Sequence, residues 1–152
     1  MKIFYFCFAG SHSSVIAANI HLRRLPEGQI PTVAEIVTVN EFDRRSLKDA
    51  GIPYFLGKDD NGNDVYVIGL GKDREIGLQT IYHLLEQLAV PTVEWKFFDT
   101  LSEINWLTKL GGFLSGRLGL VSIGRVLAAK GIQGCYFRLT DVVKKAKEWS
   151  NE

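Results

Sequence analysis

Hydrophobic positions along this chain change period several times, and each change marks an element. Ile3 to Phe8 is a short, unbroken apolar run, as a strand buried on both faces in a parallel sheet requires, and Gly10 ends it. Val15, Ala18 and Leu22, with Ile16 and Ile20 beside them, then recur at helical spacing as far as Arg23-Arg24, where Pro26 and Gly28 supply the stop. Thr32 is placed to cap a second short helix through Ala34, Glu35 and Ile36. Tyr54-Phe55-Leu56 and Val65-Tyr66-Val67-Ile68 flank a turn-forming run that contains Asn61-Gly62, which predicts an antiparallel hairpin.

After Gly69-Leu70-Gly71, the residues Leu78, Ile81, Leu85 and Leu88 line one side of an amphipathic helix that stops before Pro91. Val93 to Phe98 reads as the next strand. Trp106, Leu110, Phe113 and Leu114 share a helical face across Gly111-Gly112, and a second helical stretch follows near Arg125 to Lys130. Cys135-Tyr136-Phe137 reads as a last short strand, and Asp141 to Trp149 as a final helix burying Val142, Val143, Ala146 and Trp149. Alternating strands and helices predict a three-layer α/β sandwich with a mostly parallel central sheet and an inserted β-hairpin, as a single domain over residues 1–152.

With 152 residues, 46% of them apolar, the chain can bury one proper core. Its 18 basic and 17 acidic side chains nearly cancel, so there is no clear nucleic-acid signal. Placement says more than the total: no acidic residue falls between Glu103 and Asp141, whereas Lys109, Arg117, Arg125, Lys130 and Arg138 all do. That stretch suits an anionic ligand, an anionic surface or a plain solvated face. Arg117, Arg125 and several glycines also rule against a transmembrane segment from Leu110 to Ala129. Met1 to Phe4 begins a strand pattern at once and carries no export signal, and the two cysteines, Cys7 and Cys135, are flanked by aromatic residues. Buried thiols in a cytoplasmic protein are expected, without a disulfide framework.

Chemistry concentrates where the first strand meets the first helix. Gly10-Ser11-His12-Ser13-Ser14 would aim backbone N–H groups, hydroxyls and the positive end of a helix dipole at one point, which suits a phosphate group. The loop is P-loop-like but degenerate, because the second glycine and the lysine that neutralises terminal phosphates are missing. The other reading is a plain strand-to-helix cap. Cys7 is a candidate nucleophile, since a thiol at a helix N-terminus can be activated as a thiolate. Low-molecular-weight phosphatases and arsenate reductases place an arginine six positions after such a cysteine, and here that position is Ser13. The spacing of Cys7, Gly10, Ser13 and Ser14 is closer to the phosphorylated-cysteine loop of sugar-phosphotransferase B domains. A core cysteine explains the aromatic flanks equally. His12 is a second catalytic candidate, and either faces a ligand or bonds the backbone.

Weaker motifs lie elsewhere. Gly69-Leu70-Gly71-Lys72-Asp73-Arg74 resembles half of a dinucleotide fingerprint, with Arg74 in place of the third glycine. Asp59, Asp60, Asn61 and Asp64 do not follow the EF-hand ligand order and read as turn residues, so no metal site is predicted. Glycines in the pattern from Gly111 to Gly124 cost a helix about 1 kcal/mol each, which close backbone packing or ligand approach would explain. Arg117 and Arg125 are the basic residues expected to reach an anion.

Tyr5-Phe6-Cys7-Phe8-Ala9-Gly10-Ser11-His12-Ser13-Ser14, Ile20-His21-Leu22, Leu25-Pro26, Glu41-Phe42-Asp43, Val65-Tyr66-Val67-Ile68-Gly69, Asp99-Thr100 and Gly111-Gly112-Phe113-Leu114-Ser115 together resemble a bacterial family of about this length. It is the domain-of-unknown-function family numbered 3189, found mainly in spore-forming Gram-positive bacteria. The resemblance spans nearly the whole chain and implies no established activity or cofactor. The family pattern commonly has an arginine where this chain has Gly116, directly before Arg117. From the residues, the expectation is a phosphate-bearing small molecule or nucleotide bound at Gly10, Ser11, His12, Ser13 and Ser14 with Arg117 or Arg125. The alternative is a non-catalytic interaction or regulatory module with a basic, apolar surface.

Overall fold

The alternation seen in the sequence builds a four-stranded mixed sheet, described here by a computed structural model covering residues 1–151. Strand β1 (Lys2–Cys7) is central, and β3 (Asp64–Gly69) and β4 (Trp95–Asp99) pair with it in parallel on either side. Strand β2 (Tyr54–Lys58) is antiparallel to β3 at one edge, giving the order β2-β3-β1-β4. The Asn61-Gly62 turn joins β2 to β3, with Gly62 at φ +82°. Two of the three pairings are parallel, and the hairpin expected as an insertion supplies the antiparallel one.

Helix α1 (Ser13–His21) follows β1, and α2 (Val33–Thr38) starts at a capping box in which Thr32 and Glu35 exchange side-chain and backbone bonds. Helix α3 (Arg74–Gln87) connects β3 to β4, and α4 (Trp106–Gly116) is followed by α5 (Val121–Ser150). Ile3, Tyr5, Val65, Val67 and Phe98 lie on one face of the sheet and form the core with Val15 and Ile16 of α1 and Ile132, Leu139 and Val143 of α5. Each such side chain withdrawn from water contributes about 1.5–3 kcal/mol. The opposite face carries the stacked rings of Phe4, Tyr66 and Phe97 and is covered in part by α3, whose Tyr82 touches Trp95 and Phe97. No residue of α3 is buried, so the expected three even layers become one thick helical side and one thin one.

The last expected strand is absent: Cys135-Tyr136-Phe137 belongs to the continuous α5, and so does the stretch from Arg125 to Lys130. Gly124 and Gly131, which look like breaks, face α4, where a Cβ would overlap the backbone of Ser115 and Thr108 respectively; Gly111 of α4 meets Ala128 in the same way. These glycines give up helix propensity for close contact between two helices. Buried Ala128, Ala129, Ile132, Cys135, Tyr136 and Leu139 continue the helical period through the supposed strand.

Candidate functional site

The connection from β1 to β3 carries α1 on one face of the sheet, and the connection from β3 carries α3 over the other face, past β1 to β4, so the carboxyl end of β1 is where the strand order reverses and a crevice opens. A cavity of about 800 Å³ lies there. Cys7 at the end of β1 with Phe8 and Ala9 after it, Gly71 and Lys72 after β3, and Leu101 and Ser102 after β4 form its floor. Its sides come from Asp43 and residues 45–48, from Thr108, Lys109, Gly112, Phe113 and Gly116 of α4, and from Arg117 at the end of that helix.

The turn from Gly10 to Ser14 is fixed by its own backbone. Gly10 takes φ +69°, and a Cβ there would sit 2.7 Å from Gly69 N, so the loop crosses the end of β3 where only glycine fits. Asp43 N–H donates to Ser11 O (2.9 Å), Arg45 N–H to Ser11 Oγ (3.1 Å) and the Arg45 guanidinium to Gly10 O (3.0 Å). A second loop is thereby latched onto the turn. Arg45 is completed by Glu41 (2.9 Å) and by the Tyr54 ring, 3.9 Å from its guanidinium carbon.

Of the five turn residues expected to hold a ligand, the structure brings His12 and Ser13 to the cavity wall. Ser11, Ser13 and Ser14 are all buried, and the hydroxyls of Ser11 and Ser14 are engaged by Arg45 N–H and by Cys7 Sγ (3.1 Å). Ser13 Oγ–H donates to Thr100 Oγ1 (2.9 Å), which donates in turn to Phe6 O (2.8 Å). Gly10 is a backbone element of the turn and not part of the lining. Cys7 is buried at the cavity floor. Arg117 lines the cavity, whereas Arg125 points inward, donating to Val37 O (2.8 Å) with its Nε buried and unpartnered.

Asp43, Lys48, Lys72 and Lys109 complete the wall. Lys48, Lys72, Lys109 and Arg117 form no ion pair among the described residues, and Arg74 is held at 3.7 Å from Asp99. His12 Nε2–H donates to Asp43 Oδ1 at 2.8 Å, and Ser115 Oγ–H donates to the other carboxylate oxygen. Burial would raise the Asp43 carboxyl, but the hydrogen bonds from His12 and Ser115 and the charges of His12 and Arg125 outweigh it and hold the group below the ordinary carboxylate value. Spacing did not reveal Asp43. The Glu41-Phe42-Asp43 segment and the arginines after it were the available signal. No group of three or more metal-ligating side chains occurs among the described residues.

An α/β domain with its crevice at the carboxyl ends of parallel strands is thus the class of protein this chain forms. It belongs to the family described as "Protein of unknown function (DUF3189)", whose model matches residues 2–148. Neither the curated proteins nor the solved structures gave a match. No helix among the described residues is long and apolar enough to cross a membrane.

Proposed function

We propose that the protein binds a phosphate-bearing small molecule in the cavity at the end of β1, in the reducing cytoplasm, where Cys7 and Cys135 stay as free thiols. One observation carries this reading: Lys48, Lys72, Lys109 and Arg117 converge without carboxylate partners on a cavity of about 800 Å³ beside the α1 N-terminus. Bringing four like charges together is unfavourable unless an anion joins them. The first-turn N–H groups of α1 add donors without charge, and Arg117 supplies a planar guanidinium suited to two phosphate oxygens. His12 and the first-turn N–H groups stand in for the full Gly10-to-Ser14 cradle expected from sequence, since the hydroxyls of Ser11, Ser13 and Ser14 are buried and bonded within the protein.

Isothermal titration with inorganic phosphate, a sugar phosphate and a nucleoside monophosphate tests the reading. Binding is expected to weaken about tenfold or more in Lys72→Ala and in Arg117→Ala, since a hydrogen bond to a charged group contributes about 1.5–3 kcal/mol. No binding of any of the three would overturn it.

A second reading takes the α4 and α5 hairpin as an interaction surface. It is favoured by the exposure of Trp106, Leu118, Leu120 and Ile123 on a stretch without carboxylates. A partner captured by the wild type and lost when Arg117 and Leu120 are both replaced would support it.

A further inference from the structure

His12 stands on the cavity wall with one ring nitrogen engaged and the other open. Its Nε2 is tied to Asp43, whose side chain is only 5% exposed and which sits at φ +58°, a backbone region that costs a non-glycine residue energy. Two side chains from separate segments fix that carboxylate, His12 from the turn and Ser115 from α4, while the Asp43 N–H bond to Ser11 O holds its backbone. Nδ1 of His12 has no hydrogen-bond partner among the described residues. A Cβ at Gly112 would lie 3.3 Å from Nδ1 and 3.0 Å from Cε1, so the missing side chain on α4 leaves that edge of the ring uncovered. An imidazole oriented by a buried carboxylate, with its second nitrogen turned to a cavity, has the arrangement of a proton-transfer group.

The cavity also exceeds what a phosphate group fills, and beside its cations the wall carries the apolar side chains of Phe8, Leu47, Leu101, Ile104 and Phe113. We infer that the protein hydrolyses phosphomonoesters with an aromatic or apolar organic part, using His12 as the general acid and Asp43 as its positioning residue. This rests on the proposal that the cavity binds phosphate. In the reaction the imidazolium Nδ1–H passes its proton to the ester oxygen as the bond between that oxygen and phosphorus breaks, while a water oxygen bonds to phosphorus. The organic part leaves as an alcohol or phenol, and the dihydrogen phosphate formed returns one proton to His12, so one water is consumed. Asp43 stabilises the imidazolium, and Lys72, Lys109 and Arg117 hold the non-bridging oxygens.

The test compares phenyl phosphate, whose leaving oxygen needs a proton, with p-nitrophenyl phosphate, whose leaving oxygen does not. His12→Gln is expected to lower kcat on phenyl phosphate by about 10²–10⁴-fold, with a much smaller loss on p-nitrophenyl phosphate and retained binding of inorganic phosphate. Asp43→Asn should lower kcat with KM little changed. Wild-type protein that binds phosphate but turns over neither ester overturns this inference alone, as does an equal loss on both esters in His12→Gln. Wild-type protein that binds no phosphate overturns the cavity reading beneath it.

Discussion

Two histidine–carboxylate pairs flank α1, one at each end, and they differ in what happens to the second ring nitrogen. At the C-terminal end, His21 Nε2–H donates to Asp59 Oδ2 at 3.0 Å and Tyr5 O–H donates to Nδ1 at 2.6 Å, with the His21 side chain fully buried. Asp59 also accepts Asn61 N–H (2.9 Å), Asn63 N–H (2.8 Å) and Asn63 Nδ2 (3.0 Å), so every member of that network is satisfied. At the N-terminal end, His12 and Asp43 are 14% and 5% exposed, and one nitrogen stays open toward the cavity. The first pair ties β1, α1 and the β2–β3 hairpin together. The same two residue types become available for chemistry only where the packing leaves a position unfilled.

Breaking the closed pair should have the largest effect on stability. Asp59→Ala leaves His21 and three N–H donors without their acceptor and is expected to cost about 3–5 kcal/mol in urea unfolding, with the affinity of the folded protein for phosphate unchanged. A cost below about 1 kcal/mol would show that this network is not a structural tie. Tyr5→Phe removes one donor from the same ring and should cost about 1–3 kcal/mol. Asp43→Asn at the open pair keeps shape and one acceptor, so about 1 kcal/mol is expected, its main effect falling on turnover.

Acid separates the two pairs further. Burial, opposed by the bond and charge of Asp59, holds the His21 imidazole below its ordinary value. As pH falls through about 6.5 the unfolded chain therefore takes up a proton before the folded one, and stability declines. Asp43 and Asp59, both held below the ordinary carboxylate value, withdraw their stabilisation only below about pH 4. Urea midpoints measured from pH 7.5 to 5 should fall in the wild type and fall less in His21→Gln. A flat profile would contradict this. The smallest stability effect belongs to Gly112→Ala, where the gain in helix propensity, about 1 kcal/mol, offsets a contact of 3.0 Å with His12 Cε1. Its turnover of phenyl phosphate should nevertheless drop, because the new methyl covers the open edge of the ring.

Local signals carried much of this fold. The apolar run of β1, the Thr32 box and the Asn61-Gly62 turn are each decided by neighbours in sequence, and each appears where its residues predict it. The glycines from Gly111 to Gly124 were ambiguous, because a glycine that breaks a helix and a glycine that lets a second helix approach look alike until the partner helix is known. Cys135 to Phe137, three apolar residues read alone as a strand, belong to the helical period of α5. Of the turn residues singled out from sequence, His12 and Ser13 line the cavity, but all three serine hydroxyls bond inward, to partners that lie 34, 87 and 7 residues away at Arg45, Thr100 and Cys7. Arg117 and Arg125 share one basic stretch, yet Arg117 ends α4 beside the cavity, whereas the helical phase of α5 turns Arg125 to Val37. Asp43 joins His12 across 31 residues, a distance over which no period operates.

Helix α5 has 30 residues and runs about 45 Å, long enough to serve two regions at once. Its first half is joined to α4 through Gly124, Ala128 and Gly131, and its second half is anchored in the core by Tyr136, Leu139, Val143 and Ala146. Mechanically it is a beam clamped at both ends. The wall that α4 presents to His12 inherits its stiffness from that beam rather than from a loop, so a bulky side chain at Gly131, against Thr108, would be felt as a tilt of the wall at Gly112, about one turn of α4 away.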